Sequence, residues 1–108
     1  MRVLFRVLCA ACLWAAASLA LAQAFPSRGV RIIVPFPAGG TTDILARQLA
    51  GELAAKWGQT VVVDNKAGAS GQIGSEQLVA SAPDGHTLML TATHHVINPG
   101  LYRKLKYD

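Results

Sequence analysis

Three aliphatic runs alternate with stretches of helical period along this chain. That alternation limits its fold more than any other feature. The runs are residues 30–36 (VRIIVPF), 59–65 (QTVVVDN) and 86–92 (HTLMLTA). Between the first two, apolar residues recur at Ile44, Leu45, Leu49, Leu53 and Trp57. Spacings near four predict an amphipathic helix with those residues on its buried face. A second helical stretch, about residues 73–81, separates the second and third runs. Strand, helix and strand predict a βαβ unit with a right-handed crossover. The order β-α-β-α-β predicts an α/β fold built on a parallel sheet. The three consecutive valines of the second run predict burial on both faces, as parallel strands require.

Local signals set the boundaries. Pro35 and Pro37 cannot donate to a ladder, so the first strand ends near Val34. Residues 37–41 form a turn, Thr41 or Thr42 is placed to cap the helix, and Asp43 brings negative charge to its first turn. Gly58 is a natural helix stop. Leu53 and Trp57 read as core. Pro83-Asp84-Gly85 marks a turn before the third strand. After that strand, "THHVINPG" reads as a loop and residues 101–104 as a short helical turn.

The N-terminus reads as a targeting segment rather than fold. Arg2 and Arg6 precede an apolar run over residues 7–22, which ends in Ala20-Leu21-Ala22 with Ala22-Gln23-Ala24 overlapping it. Both triplets fit a signal-peptidase site, so residues 1–22 are expected to be a secretory signal peptide cleaved after Ala22 or Ala24. Cys9 and Cys12 lie in this segment, and residues 23–108 contain no cysteine. The mature chain therefore has no disulfide, thiolate metal site or cysteine nucleophile. Two of the ten basic residues leave with the segment, so eight remain against six acidic ones. The basic balance thus belongs largely to the leader and does not point to nucleic acid. Residues 23–108 suffice for one small domain of marginal stability.

Three loops follow the three strands, at the sheet edge where open parallel sheets bind ligands. They are residues 37–42, 66–71 and 91–98. Between them they carry backbone N–H groups, hydroxyls (Thr41, Thr42, Ser70, Thr91, Thr93), imidazoles (His94, His95) and the amide of Asn98. A helix opening from "PAGGTTD" presents N–H groups to an anion. It is no phosphate loop, because it lacks the Lys of G-x-x-x-x-G-K-[ST] and carries Asp43. "GASGQIG" has the wrong spacing, after the wrong strand, for a dinucleotide fingerprint. Ser70 lacks a nucleophile-elbow context. His94 and His95 are adjacent, point apart in extended chain, and have no nearby carboxylate to complete a metal site or triad. Neither a metal nor a cofactor is expected. The site residues also have plainer readings. Gly39 and Gly40 can serve turn dihedrals alone, Asp43 the helix dipole, and Asn98 the turn before Pro99.

The motifs "VPFPAGGTTD", "VVVDNKAGASG", "APDGHTL", "HVINPGLY" and "KLKYD" occur in this order between Val34 and Asp108. Together they resemble the start of the Bug family, the TctC-like extracytoplasmic solute-binding proteins of tripartite tricarboxylate transporters. The resemblance implies part of the N-terminal lobe of a periplasmic type II binding protein over residues 23–108. It implies a small carboxylate ligand, permease subunits as partners, a periplasmic location and no catalysis. The ligand-binding residues it implies are Pro37, Ala38, Gly39, Gly40, Thr41, Thr42 and Asp43, with Gly68, Ala69, Ser70 and Gly71. Thr93, His95 and Asn98 complete the set from the third strand's end. Ala67 stands where the family often has Pro, and Gly29 also replaces a common Pro. Family members continue far past "KLKYD", which implies a fragment or a truncated reading frame with unpaired sheet edges. Two other readings stand beside this one: a small α/β enzyme using the glycine loop for a phosphorylated substrate, and a product without function.

Overall fold

The computed structural model describes Met1 and residues 24–107. The expected signal peptide lies outside the described residues. Among the described residues seven elements follow in order: β1 (Val30–Val34), α1 (Thr41–Trp57), β2 (Val61–Asn65), a 3-10 turn (Ala69–Gly71), α2 (Gln72–Val79), β3 (Thr87–Met89) and α3 (His94–Leu101). The three strands form one parallel sheet in the order β2-β1-β3. The expected α/β class and parallel sheet are thus observed, and β1 ends at Val34, ahead of the two prolines.

β1 is the strand buried on both faces. Val30, Ile32, Ile33 and Val34 are all at most 2% exposed. Ile32 and Val34 meet Ala46 and Ala50 of α1, with Phe36, Leu53, Val61, Val63 and Leu90 around them. Ile33 faces the opposite side, against α2. There a Cβ on Gly74 would lie 2.8 Å from Pro35 Cβ and 3.3 Å from Ile33 Cγ2. Gly74→Ala is therefore expected to cost about 1–3 kcal/mol through overpacking. Its urea midpoint should fall. A midpoint equal to wild type would mean that α2 lifts from the sheet without penalty.

Three expectations are corrected here. The inner face of α1 is Asp43, Ala46 and Ala50, not the large apolar residues. Ile44, Leu45 and Leu49 are 53%, 54% and 43% exposed, while Leu53 and Trp57 are half-buried. Small alanines face the sheet, and the bulky side chains point outward. Second, Val62 is 52% exposed, so the valines of β2 are not buried on both faces. Strand β2 lies at the sheet edge, beside only β1. Third, residues 94–101 are helical rather than a loop, with Pro99 inside. The buried Asn98 anchors this helix by donating Nδ2–H to the Ser70 carbonyl at 2.8 Å. That tertiary bond outweighs the turn tendency of Asn-Pro-Gly.

Candidate functional site: the loop edge of the sheet

The helix α1 starts without a threonine cap. Gly40 takes the N-cap position in extended conformation, and no side chain bonds the first-turn amides. The cap expected from Thr41 or Thr42 is thus absent. Asp43, in the first turn, instead reaches back and accepts the Gly39 N–H at 2.8 Å. Gly39 has φ +88°, a left-handed value that suits glycine. The amides of the first turn have no acceptor within a helix. Two of the first-turn residues, Thr41 and Thr42, line a cavity together with the N-cap Gly40.

That cavity has a volume of about 340 Å³. Pro37, Gly40, Thr41 and Thr42 form one wall, and Phe36, Ala92 and His94 form the other. The His94 ring lies against Phe36 at 5.2 Å between centroids, tilted by 53°. The lining is therefore largely apolar, with two threonines at the helix start and one histidine as its polar side chains.

Asp43 does not face this cavity. It is 3% exposed and its carboxylate is fully engaged. Besides Gly39, it accepts from Arg47 Nε at 3.0 Å and from Asn65 Nδ2 at 3.0 Å. The Arg47 hydrogen bond above all, then the Gly39 amide, holds its carboxyl down at about 2 against the opposing effect of burial. Its carboxylate supports the turn from inside and is not part of the cavity lining.

The second glycine turn stands apart from the cavity. Gly68, Ala69, Ser70 and Gly71 all have positive φ, at 127°, 47°, 54° and 83°. Asn98 holds the Ser70 carbonyl, and Tyr102 Oη lies 3.1 Å from Ser70 Oγ. Ser75 Oγ donates to the Gly71 carbonyl at 3.1 Å. Of the third group, Thr93 is exposed at the start of α3 and Asn98 is buried beneath it. His95 turns away from the cavity. Its Nδ1 lies 3.3 Å from Ser75 Oγ, and its ring stacks on Tyr107 at 4.8 Å.

Of the expected residues, Pro37, Gly40, Thr41 and Thr42 therefore share the cavity. Ala38 and Gly39 sit on the same exposed turn but outside the lining. The ligand set implied by the family resemblance left out Phe36, Ala92 and His94, although the last two lie in the third loop read from the sequence. Phe36 was legible by alternation, since Ile32, Val34 and Phe36 share a strand face. His94 was not, because the residue chosen depends on where α3 begins.

At the opposite end of the sheet, Asp84 accepts the His86 backbone N–H at 3.0 Å and Arg28 Nη2 at 2.7 Å. These bonds, the backbone one first, lower its carboxyl to about 2. Both Asp43 and Asp84 are depressed from an ordinary 3.8. Their contribution to stability is therefore complete above that ordinary range and lost as pH falls toward 2. The urea midpoint should stay level on their account above about pH 5 and fall between about pH 4 and pH 2. The double change Asp43→Asn with Asp84→Asn should flatten that fall. An equally steep fall in the double variant would assign the acid sensitivity to other groups.

The TctC family model, described as tripartite tricarboxylate transporter family receptor, matches residues 45–108. The chain belongs to this family. It is 48% identical to protein BugT of Bordetella pertussis over 80 residues, covering 74% of this chain and 24% of that protein. A structure described as a periplasmic transporter superposes with a TM-score of 0.73 at 42% identity, over 79% of this chain and 29% of that one. An R. palustris protein solved with adipate gives a TM-score of 0.67 at 37% identity, over 79% and 29%. MatC from Rhodopseudomonas palustris, solved with bound malate, gives 0.57 at 43% identity, over 60% and 22%. The fold is therefore that of part of a periplasmic binding protein. The chain spans about a quarter of the length of the curated relatives it matches.

Proposed function

We propose that this chain forms one wall of a solute-binding cleft that captures a small carboxylate without converting it. The observation that carries this reading is the cavity at the α1 N-terminus. Gly40, Thr41 and Thr42, where the helix begins, form one wall of it, and its lining holds no Lys, Arg, Asp or Glu. A single carboxylate suits such a set, because amides and the helix dipole stabilise it without a counter-cation. The guanidinium close to the turn, Arg47, is committed to Asp43 and Asn65. A phosphorylated substrate, with more charge to balance, therefore fits less well. The adipate and malate held by two structural relatives support dicarboxylates as the ligand class. His94 and Phe36 would pack the ligand's carbon chain from across the cavity.

In this reading the leader at residues 1–22 delivers the chain to the periplasm. The loaded cleft is then presented to the permease subunits of a tripartite tricarboxylate transporter. The glycine turn at 68–71 borders the cleft rather than the carboxylate cavity.

Calorimetry with adipate, malate, citrate and inorganic phosphate tests the reading. One wall offers two or three charge-assisted hydrogen bonds, each worth about 1.5–3 kcal/mol, against a large association cost. The 108-residue chain should therefore bind dicarboxylates with Kd near 1 mM, about −4.1 kcal/mol. Phosphate should bind no better than the carboxylates. Micromolar binding would show that one wall is sufficient, and preference for phosphate would reverse the assignment.

A further inference from the structure

A closed polar network stands behind the cavity wall. Asn65, at the end of β2, donates Nδ2–H to the Phe36 carbonyl at 3.1 Å and to Asp43 Oδ1 at 3.0 Å. Its Oδ1 accepts from Arg47 Nη2 at 3.1 Å. Arg47 Nε donates to Asp43 Oδ2, which also holds the Gly39 N–H. One side chain thus ties the end of β1, the turn and α1 to β2. None of Asn65, Arg47 and Asp43 lines the cavity.

We propose that Asn65, assisted by Arg47, is a positioning residue for carboxylate capture, fixing the turn at residues 36–43 so that the amides of Gly40, Thr41 and Thr42 face the ligand. The inference rests on the binding reading above. Two physical requirements make the pair specific. The network needs two N–H donors and one acceptor from a single planar group, which an amide supplies and a carboxylate does not. The network must also neutralise Asp43, whose charge lies in the same helix turn as the amides offered to an anion. Arg47 supplies that charge at 3.0 Å.

The charged surroundings of this network are simple. On α1, Arg47 faces Asp43. Phe36 and Gly39 bring no charge from the β1 side. Beside Asn65, Asp64 and Lys66 lie 3.6 Å apart, and Asp64 is also 3.5 Å from Arg31. From α3, His94 stands across the Phe36 ring.

Asn65→Asp therefore places a second carboxylate against Asp43. When both are ionised they repel, and the turn loses its tie. A shared proton at lower pH restores one hydrogen bond between them. The test is a ¹⁵N-resolved adipate titration of the whole chain, each variant being compared with wild type at the same pH. At about pH 8, Asn65→Asp should bind at least about tenfold more weakly than wild type. At about pH 5 the gap should close to about threefold. Arg47→Gln, at an exposed position, should weaken binding by about threefold or more at low salt. A purely structural role would not give a gap in affinity that closes with acid while the protein stays folded. Asn65→Asp within twofold of wild type at about pH 8, or a loss equal at both pH values, overturns the inference. If Asn65→Asp does not fold, unchanged affinity in Arg47→Gln overturns it. Wild-type chain that shows no adipate shifts overturns the binding reading and this inference together.

Discussion

Thr41→Pro is expected to weaken adipate binding by tenfold or more while leaving the fold intact. Thr41 is the first residue of α1, and Gly40 before it has φ −76° and ψ 168°. Proline favours the first helical position, and an extended residue favours the position before it. The substitution therefore suits the backbone and removes one N–H from the cavity edge. A hydrogen bond from that N–H to a carboxylate is worth about 1.5–3 kcal/mol, and about 1.4 kcal/mol is tenfold in Kd. Thr41→Val is the control, since it keeps the N–H and loses the hydroxyl. Titration of the two variants, with urea midpoints alongside, separates amide from hydroxyl. Affinity in Thr41→Pro equal to that in Thr41→Val would remove this amide from the site.

The second large effect concerns the floor on which the site stands. Ile33 is 0% exposed, at the centre of the sheet beneath α2. Ile33→Ala should cost about 2–5 kcal/mol by removing buried methylenes and leaving a cavity. Total stabilities of small domains are only about 5–15 kcal/mol, so the urea transition should move far toward zero denaturant or lose its cooperativity. Val62→Ala, on the edge strand at 52% exposure, should change stability by about 0.5 kcal/mol or less. Comparable losses in the two variants would contradict the assignment of β1 as the doubly buried strand.

The sheet was legible because strand signals are local. Pro35 and Pro37 stopped β1, and the runs of valine, isoleucine and leucine marked the rest. Helix orientation was less legible. Periodicity weighs Ile44, Leu45 and Leu49 by hydrophobicity, whereas the sheet selected Asp43, Ala46 and Ala50 by size and by the demand of a buried carboxylate for partners. An aspartate at the helix start read equally well as a dipole partner, because Asn65, 22 residues away, is invisible to any local pattern.

The site was legible as a loop edge and not as a set of contacts. Pro37, Gly40, Thr41 and Thr42 follow from a turn that opens a helix after a strand. The choice between His94 and His95 depended on the start of α3, a helix held by Asn98 against Ser70 despite Pro99. Once residues 94–101 are helical, adjacent imidazoles point about 100° apart. One then reaches Phe36 and the other Tyr107.

The most direct measurement is a ¹⁵N-resolved titration of the chain with adipate and malate, followed residue by residue. The predicted result is saturable shifts at the amides of Gly40, Thr41 and Thr42 and at the His94 ring, with Gly39 held by Asp43 and moving little. Shifts confined to Gly71 and Gln72, or none at the start of α1, would contradict the placement of the carboxylate.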